Sequence, residues 1–167
     1  MVRIKFILGY LTAAILVMGF YGCESPCTRT VSQSKINAVN QTQLEQDIQA
    51  IDTYLATKAI TALSDPTGVR YTIDVQGTGA KPCIENSVTV KYKGKLMSNG
   101  SQFDSSVTPV ALPLGNLILG WQIVLPKIQA GSKVTLYIPS GFGYGTSTSI
   151  PSIPANSILI FEIELIK

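Results

Sequence analysis

Apolar and polar residues alternate with a period of two through the second part of the chain. Tyr71, Ile73 and Val75 alternate with Thr72, Asp74 and Gln76, and Val88, Val90 and Tyr92 with Thr89, Lys91 and Lys93. Val134, Leu136 and Ile138 alternate with Lys133, Thr135 and Tyr137, and near the end Leu159, Phe161, Ile163 and Leu165 oppose Glu162 and Glu164. The pattern predicts antiparallel strands with one wet and one buried face, joined by turns at GTGAKP (77–82), SNGS (98–101) and QAGS (129–132). Upstream the period lengthens. Leu44, Ile48, Ile51 and Leu55 recur at steps of four, three and four residues, one stripe of a helix from Gln41 to about Lys58. Asn40 or Thr42 is the expected N-cap, and Gln43, Glu45, Gln46, Asp47 and Gln49 are expected largely to face water. Such a helix either packs on the sheet or pairs with a second copy; its few heptads favour packing and a monomer, with a dimer as the alternative. Turn residues SDPTG (64–68) separate it from the strands, and only one short helix fits among them, around Trp121–Lys127. The predicted class is α+β: an antiparallel sheet curled over a short helix, with an extra amphipathic helix in front.

The first residues follow another logic. Arg3 and Lys5 precede an uncharged apolar run from Phe6 to Tyr21 that ends at Gly22 and Cys23. A basic start, a short apolar stretch and a small final residue read as an export signal, shorter than the roughly 20 residues a stable span needs. The segment resembles a bacterial lipoprotein signal, in which the cysteine is lipidated and becomes the mature N-terminus. Phe20 and Tyr21 stand where smaller or aliphatic residues are commoner, so plain secretion or an uncleaved anchor are the alternatives. Residues 24–39 are polar without a sustained period and read as a tether, able to reach roughly 50 Å when extended. The resulting map has a signal at 1–22, a tether at 23–39, a helical appendage at 40–65 and a strand-rich domain at 66–167.

Composition narrows the chemistry. The 167 residues include no histidine, which excludes Ser/His/Asp and Cys/His nucleophilic systems and His-ligated zinc. The formal charge is only +3, and loss of residues 1–22 would take Arg3 and Lys5 with it. A chain so near neutral carries no basic footprint for nucleic acid, and no charge cluster marks an electrostatic membrane patch. Three scattered cysteines lack the paired spacing of a metal site, so no metal is expected. With Cys23 lipidated, Cys27 and Cys83 remain as an even pair in an oxidising compartment. A disulfide between them is one reading; a free, buried Cys83 and an exposed Cys27 is the other.

Five segments then occur in order: VTVKYKGKL (88–96), NGSQFDSS (99–106), PLGNLILGW (113–121), GSKVTLYIPSGFGYG (131–145) and IPANSILIFEIELIK (153–167). Together they resemble the FKBP-type peptidyl-prolyl isomerases over residues 69–167. The preceding helix and SDPTGVRY look like the leader of extracytoplasmic members from Bacteroidetes-type bacteria.

The resemblance implies an antiparallel half-barrel whose concave face holds an apolar, aromatic pocket for a proline ring, with no cofactor. It implies Trp121 as the pocket floor and Tyr92, Phe103 and Phe161 as aromatic walls. Leu117 and Ile118 match the apolar pair beside the floor, and the Ile118 N–H matches a donor to a substrate carbonyl. Tyr144 matches a loop tyrosine that bonds the bound backbone, Asp104 a carboxylate at the pocket edge, and Ile153 an apolar contact on the long loop. Val110 stands where some members have an aromatic wall residue, which implies a wider pocket and weaker macrolide binding. Alternation alone makes Tyr92 and Phe161 either pocket walls or ordinary core, and Asp104 either a pocket carboxylate or a turn-bonding residue within DSS.

Val107–Pro113 lacks the arginine that often pairs with the aspartate, Pro126 interrupts the expected short helix, and the loop GTSTSIPSI (145–153) is where substrate preference is expected. The implied partners are proline-containing unfolded or partly folded polypeptides, with membrane attachment through the lipid. A non-catalytic chaperone or peptide-binding module using the same groove, and a structural lipoprotein that only docks a partner, are the competing classes.

Overall fold

The computed structural model describes residues 27–167. The expected signal (1–22) and the lipidation site Cys23 lie outside the described residues. Helices α1 (Gln33–Asn37) and α2 (Gln41–Thr57) come first, followed by strands β1 (Leu63–Ser64), β2 (Arg70–Val75), β3 (Ser87–Leu96) and β4 (Gln102–Pro113). A short helix α3 (Leu119–Val124) precedes β5 (Lys133–Ile138) and β6 (Leu159–Leu165). The six strands form one open antiparallel sheet in the order β1-β2-β5-β6-β3-β4. The α+β half-barrel expected from the alternation and the resemblance is the observed fold.

The register explains the core. Val134, Leu136 and Ile138 of β5 pair with Ile163, Phe161 and Leu159 of β6, and all six side chains are buried. Trp121, Ile123 and Val124 of α3 pack into the same cluster, so the short helix closes the concave face. Pro126 does not break α3: the helix ends at Val124, and the proline sits in a following 3-10 turn, Leu125–Lys127, where its missing N–H costs little.

The opposite face departs from the sequence expectation. Tyr137, assigned there to a wet face, is buried, as is its register partner Ile160. Both form a second cluster with Ile51 and Leu55 of α2, which covers this part of the sheet. Farther along β6 the face is polar, where Glu162 pairs with Lys93 and Lys95, and Glu164 with Lys91 and Lys133.

Asn40 caps α2 by accepting from the Gln43 N–H at 3.0 Å. Asp47 was expected to face water, but it is buried, because its carboxyl group is spent on Ser140 in the turn after β5. The polar segment before α2 also differs from a free tether over its described part. Cys27 and Cys83 are joined by a disulfide, Glu85 Oε1 accepts from the Thr28 N–H at 3.0 Å and its hydroxyl at 2.8 Å, and Val31, Ile36 and Val39 rest on the core. Scattered apolar residues without a period carry no signal of such docking, since periodicity reports a regular element and this segment docks outside one for most of its length.

The turn at residues 64–68 is built by Asp65, whose Oδ1 accepts from the Thr67 N–H and hydroxyl at 3.0 and 2.7 Å. Its other oxygen meets Lys127. Burial pushes the Asp65 carboxyl group up, and the bonds from Lys127 and Thr67 more than offset this, leaving it below the ordinary carboxylate value. β4 is an edge strand, and its register with β3 shifts between Val90 and Tyr92, where Val107–Pro109 bulge outward. An edge and a bulge are where a sheet accepts a proline such as Pro109.

Candidate functional site

Four aromatic rings meet where β3, β4 and β6 face α3. Trp121, the third residue of α3, lies edge-to-face with Phe161 of β6 at 5.2 Å and 88° between ring centroids and planes, and with Tyr92 of β3 at 5.5 Å and 83°. Phe103 of β4 meets Phe161 at 5.5 Å and 83°, and Tyr92 meets Phe161 at 6.3 Å and 49°. Edge-to-face contacts place the positive ring edge on a negative ring face, which favours this geometry over flat stacking. Exposure is graded: Trp121 and Phe161 are 3% and 4% exposed, whereas Tyr92 and Phe103 are only half-buried. The cluster therefore has a dry base and a rim that reaches solvent.

Gly94 makes this assembly possible. It sits in the middle of β3 opposite Phe161 on one side and Asp104 on the other. A Cβ there would stand 2.7 Å from the Phe103 ring and 2.8 Å from that of Phe161, closer than real contacts allow. Alternation in VKYKGKL marks a strand and is silent on why a glycine stands in it. An isolated glycine inside a strand pattern is itself a signal of close approach, here of two rings.

The rim is polar at one point. The Tyr92 hydroxyl donates to Asp104 Oδ2 at 2.7 Å, while Asp104 Oδ1 accepts from the Ser105 N–H at 2.8 Å. Asp104 therefore makes the local bond expected within DSS and, with its other oxygen, also reaches Tyr92 on the neighbouring strand. Burial, then the bond and charge of Asp104, push the Tyr92 hydroxyl up to about 12. A raised tyrosine keeps its proton, so the stability this pair contributes is present below pH ~10 and is lost as pH rises toward 12. Tyr144 is also raised, by burial and then by the charge of Asp104.

The remaining candidates, Leu117, Ile118, Val110, Tyr144 and Ile153, belong to the same large hydrophobic cluster as the rings. Leu117 and Ile118, both half-buried, lead into α3, and Ile118 is its N-cap. Among the described residues the Ile118 N–H has no backbone partner, although its carbonyl accepts from Trp121 and Gln122. Gln122 holds the Leu117 carbonyl at 2.6 Å through its side chain, which orients this approach. Val110 of β4 pairs with Val90, half-buried against the core, and Ile153 is buried within the same cluster on the loop before β6. No ring contact of Val110 or Ile153 enters the set above. Trp121 Nε1 is buried without an acceptor among the described residues.

Residues 79–166, more than half of the chain, match the model of the FKBP-type peptidyl-prolyl cis-trans isomerases. The chain belongs to this family. It is similar to the FKBP-type peptidyl-prolyl cis-trans isomerase FkpA of Buchnera aphidicola subsp. Schizaphis graminum, 50% identical over 103 residues, which is 59% of this chain and 40% of the relative. The FkpA of Aeromonas hydrophila is 35% identical over 142 residues, 80% of this chain and 52% of the relative. This chain thus spans about half the length, or less, of these two FKBP relatives. Among solved structures, a peptidyl-prolyl cis-trans isomerase from Pseudomonas syringae pv. tomato superposes with a TM-score of 0.63 at 33% identity, covering 74% of this chain and 93% of that one. The FKBP-family match begins after β2, so α1, α2, β1 and β2 lie ahead of it.

Proposed function

We propose that this chain is an exported peptidyl-prolyl cis-trans isomerase that accelerates rotation of X-Pro bonds in unfolded or partly folded proteins. The observation that supports the reading is the four-ring cluster with a dry Trp121–Phe161 base and a half-buried Tyr92–Phe103 rim. In this reading the proline ring sits on Trp121 between Tyr92, Phe103 and Phe161, beside Leu117, Ile118, Val110 and Ile153. The Ile118 N–H and the Tyr144 hydroxyl hold the flanking backbone, and Asp104 keeps Tyr92 in place.

The chemistry asked of such a site is modest. Rotation about an imide passes through a twisted state without resonance, at a barrier of roughly 18–20 kcal/mol. The planar form separates charge between oxygen and nitrogen and is well solvated by water; the twisted form is less polar. An apolar slot therefore penalises the planar form more, and each ~1.4 kcal/mol of difference is worth about tenfold in rate. No bond is broken, and no proton has to move.

The purified chain is expected to accelerate isomerisation of an X-Pro tetrapeptide, and Trp121→Ala to lower kcat/KM by at least about tenfold through loss of the floor. Absence of acceleration in the unsubstituted chain, together with suppression of aggregation, would instead assign the groove to a chaperone.

The export reading rests on the apolar run closed by Gly22 and Cys23 and on the Cys27–Cys83 disulfide, which suits an oxidising compartment. Lipid on Cys23 would hold the protein at a membrane. Cys23→Ser is then expected to shift the protein from the membrane to the soluble fraction of cells; unchanged membrane association would point to an uncleaved apolar anchor.

A further inference from the structure

Residues 27–57 precede the family-matched segment, yet two of their side chains end on the turn that leads to Tyr144. Asp47, in the middle of α2, is 3% exposed. Its Oδ2 accepts from the Ser140 N–H at 2.7 Å and from the Ser140 hydroxyl at 2.6 Å, and its Oδ1 accepts from Gln43 Nε2 at 2.8 Å. Ser140 is 1% exposed, and its carbonyl accepts from the Gly143 N–H at 3.0 Å and the Gly145 N–H at 2.8 Å. Tyr144 is thus enclosed between two amides moored to Ser140. The Gly145 carbonyl in turn accepts from the Asn156 N–H at 2.8 Å, tying the far end of the loop to the same point.

A second contact comes from the arm before α2. A Cβ on Gly141 would lie 3.0 Å from Val39 Cβ, so the turn is pressed against the arm with no room between them. An apolar residue at position 47 would extend the buried face of α2 at less cost. Burying a carboxyl group is tolerated only when its bonds are made, and of these bonds two go to Ser140 of the loop and one to Gln43 of its own helix, none to the sheet.

We propose that Asp47 is a positioning residue for Tyr144: α2 braces the Ser140–Gly145 turn through this carboxyl group, and so sets where the Tyr144 hydroxyl meets a bound backbone. The effect on substrate rests on the isomerase reading above; the effect on the loop does not.

The test uses the full chain with Asp47→Ala and Asp47→Asn. Asparagine keeps an acceptor oxygen for Ser140 and, with its NH2 toward a turned Gln43 amide, can rebuild the remaining bond. In Asp47→Ala, amide hydrogen exchange at Gly143, Gly145 and Asn156 is expected to quicken by about tenfold or more, with β3 and β6 unchanged. KM for an X-Pro peptide should rise about tenfold with kcat held within about twofold, since a ground-state and transition-state contact is loosened alike. Asp47→Asn should recover most of both.

Unchanged exchange in a folded Asp47→Ala protein overturns the proposal. So does exchange that rises equally through β3 and β6, which would make Asp47 a general stabiliser. Should Asp47→Ala not fold, Ser140→Ala removes only the hydroxyl bond and must show the same local pattern in weaker form. A loop that responds in a protein with no isomerase activity would support the brace and remove the isomerase reading.

Discussion

Phe161→Ala is expected to destabilise the folded chain by about 3–5 kcal/mol, the range for deleting a large buried aromatic, and to abolish isomerisation. Phe161 is 4% exposed and touches Tyr92, Phe103 and Trp121, so its removal strips three ring contacts at once. The void also cannot be filled from the neighbouring strand. Opposite Phe161 on β3 stands Gly94, which has no side chain to move into the gap, and on β5 stands Leu136, already buried. Urea denaturation gives the stability change through the shift in midpoint at constant slope. A loss below about 1 kcal/mol would mean that the rings re-pack freely; they would then not form a preformed pocket.

Reduction of the Cys27–Cys83 disulfide, or Cys83→Ser, is expected to cost about 4 kcal/mol, which follows from the 56-residue separation through loop-closure entropy. The loop so closed contains α1, α2, β1 and β2, the portion ahead of the family-matched segment. Cys27 itself is exposed and the arm beside it makes only scattered contacts, through Thr28, Val31, Ile36 and Val39. Without the bridge little else holds its first residues. For a chain of this size the loss corresponds to a fall in Tm of about 10 °C or more, read by thermal denaturation with and without reductant. An unchanged Tm would show that packing of α2 alone fixes the arm. In a protein lipidated on Cys23 the bridge has a further consequence: the chain between lipid and fixed domain could span only about 14 Å, against the roughly 50 Å of a free tether.

Much of the molecule was legible in the order of its residues. A period of two located β2, β3, β5 and β6, and a period near 3.6 located α2 with its Asn40 cap, because side-chain direction repeats with the backbone and needs no distant partner. The ordered segments from VTVKYKGKL to IPANSILIFEIELIK likewise pointed to the half-barrel and to Tyr92, Phe103, Trp121 and Phe161, which the fold brings into ring contact. Asp47 and Tyr137 were legible only as polar positions on a face presumed wet. Alternation states that two faces differ; it does not state what covers each.

Tertiary structure decided the remainder. It set the strand order β1-β2-β5-β6-β3-β4, laid α2 over Tyr137 and Ile160, turned Asp47 inward onto Ser140, and joined the arm to Cys83. Each of these is a contact between residues more than fifty apart or a choice among equivalent strand pairings. Local periodicity is blind to both, since the free energy that selects them arises only when distant surfaces are buried against each other.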